Sequence, residues 1–127
     1  MIVRIVTARV PLRSASTFHQ LLRDQLPELH SHEGLVYAKL VRRILRDEEE
    51  IMLIEEWADA RALYRWTGPD PERPRLPADA YHLMTDVKIT HHEALDLDPA
   101  SVWPQYAGVR PIDDGNPTLV EERAVIP

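Results

Sequence analysis

Residues 2–10 read IVRIVTARV, a run rich in β-branched side chains that stops at Pro11. Such a run predicts a β-strand, and its two faces are Ile2/Arg4/Val6/Ala8/Val10 and Val3/Ile5/Thr7/Arg9. Both faces are largely apolar, so both sides of the sheet that holds this strand must be covered. That requirement limits the architectures open to a chain of 127 residues.

Downstream, Ser14 or Ser16 is placed to cap a helix with apolar positions Ala15, Phe18, Leu22, Leu26 and Leu29, a three-and-four spacing. Pro27 is expected to kink or split it, and Gly34 to end it. Residues 35–46 and 50–57 read as two further strands with Asp47-Glu48 as the turn, an antiparallel hairpin. Asp59 is placed to cap a second helix over 60–66, which Gly68-Pro69 stops. Residues 68–77, GPDPERPRLP, carry four prolines and form a stiff exposed loop. A short helical turn over 78–83 and a fourth strand over 84–95 complete a β-α-β-β-α-β order.

The fold class is therefore α+β, a ferredoxin-like domain over residues 1–95 with an antiparallel four-stranded sheet. Two helices cover one side of such a sheet. The other side is expected to pack on a second copy, making a homodimer. Residues 96–127 change character, with Pro99, Pro104, Pro111 and Pro117 set among Trp103, Tyr106 and Ile112. This proline-rich C-terminal stretch reads as an arm packing on its own body or on the partner subunit.

Composition narrows the function classes. There is no cysteine, which excludes disulfides, thiolate metal sites and a thiol nucleophile. A net charge of −6 argues against nucleic acid as a partner. No run approaches membrane-spanning length and no secretory leader opens the chain, so a cytoplasmic protein is expected. Gly-rich phosphate loops, HExxH and GxSxG are absent, and no cofactor is expected.

Gly34 before the second strand, together with Ile54–Trp66, IEEWADARALYRW, resembles the antibiotic biosynthesis monooxygenase family. The resemblance covers residues 1–95 and implies a ferredoxin-like fold paired as a dimeric α+β barrel. Members that oxidise polycyclic phenols use neither metal nor flavin, because the deprotonated substrate itself reduces dioxygen. A tryptophan at the place of Trp66 lines the substrate pocket in several members. The resemblance thus implies a cofactor-independent monooxygenase acting on a small aromatic or polyketide-like substrate. Another branch degrades haem, with an asparagine in the first strand and a histidine on the second helix. Neither residue occurs at those places here. A non-catalytic ligand-binding or structural dimer of the same fold is the alternative reading.

Candidate site residues gather around the proline loop. His82 is the general-base candidate, since its ordinary pKa lies near working pH. Trp66 and Tyr64 supply a pocket wall and a hydrogen-bond donor, Tyr81 a second phenol, and residues 68–77 a lid. Metal is not expected. His91 and His92 are adjacent on a strand and point to opposite faces, so they do not chelate one ion. His91 joins the helix-facing side as a second wall of the cleft, and His92 the partner-facing side. His19, His30 and His32 are placed on the first helix. Glu48-Glu49-Glu50 read as a solvated turn and strand start, whereas one of Glu55 and Glu56 must face inward and pair with Arg4, Lys39 or Arg43.

Overall fold

The computed structural model describes residues 1–95; the arm expected over 96–127 lies outside them. The elements run β1 (Ile2–Pro11), α1 (Leu12–His30), β2 (Leu35–Leu45), β3 (Glu48–Trp57), α2 (Ala60–Thr67), a 3₁₀ turn (Ala78–Leu83) and β4 (Asp86–Glu93). All strand pairs are antiparallel, in the order β2-β3-β1-β4. This is the ferredoxin-like arrangement that the β-α-β-β-α-β pattern predicts.

The strand faces divide as period-two alternation requires. On β1, Arg4, Val6, Ala8 and Val10 are buried beneath the helices, while Val3, Ile5 and Thr7 are half-buried on the other side. Beta3 alternates without a break, burying Glu49, Ile51, Leu53, Glu55 and Trp57. Against this face α1 packs Ala15, Phe18, Leu22 and Leu29, and α2 packs Ala62, Leu63 and Trp66.

Four local features depart from the sequence reading. Helix α1 starts at Leu12 directly after Pro11 and has no side-chain cap. Leu12 N–H instead donates to the Asp47 carbonyl at 3.2 Å, so the hairpin turn satisfies one of the donors a cap would have served. Pro27 lies inside α1 without splitting it. It sits in the last turn, where its carbonyl still accepts from Ser31 N–H at 3.1 Å. The hairpin turns at Arg46-Asp47, pairing Leu45 with Glu48, so β3 begins two residues earlier than expected. His32 lies beyond the end of α1, in the turn before β2.

Gly34 closes that turn with φ +94°, in the left-handed region. A Cβ there would come within 2.3 Å of the Ala62 Cβ, so glycine also allows α2 to approach β2. Asp59 caps α2 as expected, accepting from Ala62 N–H at 2.8 Å.

Candidate functional site

The early start of β3 has a chemical consequence. Glu49 faces inward at 1% exposure instead of standing in solvent. A carboxylate desolvated this far needs partners on both oxygens. Arg42 Nη1 donates to Glu49 Oε1 at 3.1 Å from β2, and His19 Nε2 bonds Glu49 Oε2 from α1. Because the carboxylate accepts, Nε2 of a neutral His19 carries the hydrogen and Nδ1 keeps its lone pair.

His19 also lines a cleft of about 400 Å³ between α1 and the β2–β3 hairpin. Its apolar walls are Leu22, Val41, Leu40 and Ile51, and its polar groups are His19, Arg23 and Arg42. The helix-facing side of edge strand β2 is only partly covered here: Leu40 is half-buried and Arg42 exposed. An open cleft of this size with apolar walls and a few convergent polar groups suits a small ligand.

A second polar row crosses the sheet below the proline loop. Register places Glu55, Arg4 and His91 side by side on β3, β1 and β4. Arg4 is fully buried and its Nη1 lies 3.2 Å from each Glu55 carboxylate oxygen. Its Nε donates to the Pro71 carbonyl at 3.2 Å and its Nη2 to the Arg73 carbonyl, fastening the loop to the sheet. Trp57 Nε1 donates to Glu55 at 3.0 Å. Burial pushes the Glu55 carboxyl above its usual range, against the opposing pull of Arg4 and Trp57. Burial, helped by the Arg4 charge, holds the His91 imidazole below its usual value, while Glu72 and the Pro71 carbonyl act in the other direction. His91 Nε2 is buried with no hydrogen-bond partner among the described residues.

The residues singled out from sequence take varied positions. Trp66 is 2% exposed, with Trp57 stacked at 6.4 Å, His32 edge-on at 4.8 Å and the Arg75 guanidinium 4.2 Å above its ring. Its Nε1 has no partner among the described residues. Tyr64 is exposed on α2. Tyr81 is also exposed, and its hydroxyl accepts from Leu76 N–H at 3.2 Å, bracing the end of the proline loop. His82 is exposed on the 3₁₀ turn. His91 stands on the helix-facing side of β4, opposite Arg4, and His92 on the other side, opposite Val3.

The structure thus brings Arg4, Glu55 and His91 together, and separately His19, Arg42 and Glu49. The second group was not legible as a site, because a turn placed at Asp47-Glu48 hides the inward phase of Glu49. Extending the alternation of Ile51, Leu53 and Glu55 back two residues reveals it. Among the described residues, no three His, Asp or Glu side chains converge to hold a metal, and no helix is long and apolar enough to cross a membrane.

The family model of antibiotic biosynthesis monooxygenases matches residues 1–71. No curated protein matches the chain. Among solved structures, an antibiotic biosynthesis monooxygenase-type protein from Deinococcus radiodurans is 21% identical, with a TM-score of 0.63 over 77% of this chain and 96% of that one. A conserved protein from Methanosarcina mazei is 18% identical, with a TM-score of 0.60 over 75% and 94%. The haem degrader MhuD from Mycobacterium tuberculosis, with two haems in its active site, is 18% identical, with a TM-score of 0.55 over 77% and 100%. At these identities the likeness to each structure is one of fold.

Proposed function

Because the chain belongs to the antibiotic biosynthesis monooxygenase family, we propose that it oxidises a small aromatic substrate with dioxygen in the cleft between α1 and the β2–β3 hairpin, with no metal or organic cofactor. The observation that carries this reading is the His19–Glu49 pair at the cleft wall, held by Arg42.

Chemistry of this kind needs a base, a dry apolar pocket and a substrate that supplies its own electrons. His19 Nδ1 takes a proton from a CH₂ held between two aryl rings and conjugated through them to a ketone, and Glu49 steadies the imidazolium that forms. The resulting enolate is electron-rich and reduces dioxygen, forming a carbon–oxygen bond to a bound peroxide. The second C–H proton then leaves, the O–O bond breaks, and a carbonyl and one water result. The balance is ArCH₂ + O₂ → ArC=O + H₂O, with all electrons drawn from the substrate. Leu22, Leu40 and Ile51 exclude water around the carbanion. In this reading Trp66 is a packing residue of the core and His82 a surface residue.

Haem fits these residues poorly. Helix α2 (Ala60–Thr67) contains no histidine, and the nearby His32 packs edge-on against Trp66. His19 Nε2 is engaged by Glu49.

The uncovered sheet face, with Tyr37 and Val41 exposed beside Met52, Ile54, Val3 and Ile5, suits a second copy of the chain. On this reading light scattering reports a dimer, and Tyr37→Asp shifts it toward monomer; a wild-type monomer refutes the pairing.

Oxygen uptake with anthrone as substrate tests the oxidation. One dioxygen consumed per anthraquinone formed, in chelator-treated protein, supports it. No uptake with anthrone or related hydroxynaphthalenes, combined with tight binding of the same molecules, favours a ligand-binding protein.

A further inference from the structure

The charges around the cleft do not cancel. The residues that line the cleft include no acid, and Glu49, which lies behind His19 and Arg42, is already engaged by them on both oxygens. Arg23 lines the same cleft, four residues after His19 and therefore on the same side of α1. It is exposed, and among the described residues it has no ion-pair partner. A chain of net charge −6 thus places a spare guanidinium at the mouth of an apolar cavity.

We infer that the cleft selects aromatic anions, with Arg23 as the specificity-determining residue that receives a carboxylate or acidic phenolate of the ligand. The ring system lies on Leu22, Leu40 and Ile51, and the anionic group turns outward to Arg23. A guanidinium suits this role because its planar fork matches a carboxylate and it sheds water more readily than an ammonium. Arg42 is less suited than Arg23, because its charge already faces that of Glu49. A cavity of about 400 Å³ admits a two- or three-ring acid.

The inference rests on the cleft being the site proposed above, but its test reads binding without turnover. Affinities of 2-naphthoate and its neutral isostere 2-naphthamide are measured by calorimetry under nitrogen, for the wild type, Arg23→Gln and Arg23→Glu. The wild type is expected to prefer the acid by roughly tenfold, in line with one charge-assisted hydrogen bond. Arg23→Gln should abolish that preference and Arg23→Glu reverse it, with the affinity for naphthamide changing far less than that for the acid. Added salt should weaken the acid selectively. Equal affinity for acid and amide in the wild type, a preference that survives in Arg23→Gln, or no binding of either probe would each overturn the inference. An Arg23-dependent preference in a protein that consumes no oxygen with any substrate would sustain it and remove the oxygenase reading instead.

Discussion

Arg4 and Glu55 meet across β1 and β3 with no solvent between them, Arg4 Nη1 lying 3.2 Å from each carboxylate oxygen. The same guanidinium holds the carbonyls of Pro71 and Arg73, so one residue ties the sheet to the proline loop. Replacing Arg4 by Met leaves a buried carboxylate without its cation, at a cost of about 3–5 kcal/mol. Chemical denaturation should show that loss, and Arg4→Met combined with Glu55→Leu should recover part of it. Amide exchange over residues 69–77 should quicken in the single variant. Unchanged exchange there would mean that the loop is held by other contacts.

Gly34 sets how closely α2 approaches β2. Gly34→Ala adds a Cβ 2.3 Å from that of Ala62 at a positive φ, and a strained position alone costs about 1–3 kcal/mol. A lowered melting temperature is expected, and Ala62→Gly in the same chain should restore part of it by removing the steric component. A neutral Gly34→Ala would show that the approach is more yielding than its geometry implies.

The sheet row below the loop carries a pH dependence. Burial and the Arg4 charge hold folded His91 below the ordinary value of 6.5, with Glu72 opposing and His92 adding to the depression. Below 6.5 the unfolded chain therefore takes up a proton that the folded chain resists, and stability falls as pH drops through that window. Above it the contribution is complete. Melting curves taken from about pH 7 to about pH 5 should fall less steeply for His91→Gln than for the wild type. Parallel slopes would assign the acid sensitivity elsewhere.

The fold was legible because its signals are local and mutually consistent. The strand of residues 2–10, the three-and-four spacing from Ala15 to Leu29, the Asp59 cap and the four prolines after Gly68 all say the same thing in sequence and in space. The inward partner of Glu55 was readable too, since Arg4 is one of few cations on neighbouring strands. The cleft was not. It depends on β3 beginning two residues earlier than expected, which converts Glu49 from a solvated residue into a buried partner of His19. It also depends on how far α1 reaches across edge strand β2, a matter of tertiary packing that no local pattern records. Trp66 reads in sequence as an aromatic beside a loop, and in space it lies against Trp57, His32 and the loop residue Arg75.

In the proposed oxidation His19, oriented by Glu49, is the base in the α1/hairpin cleft. The rate of oxygen consumption at saturating anthrone for His19→Ala beside His82→Ala tests this role. Loss of a general base should lower kcat about 10²- to 10⁴-fold in His19→Ala, with far-UV circular dichroism unchanged and His82→Ala at the wild-type rate. A His19→Ala enzyme that consumes oxygen as fast as the wild type, while His82→Ala does not, would contradict it.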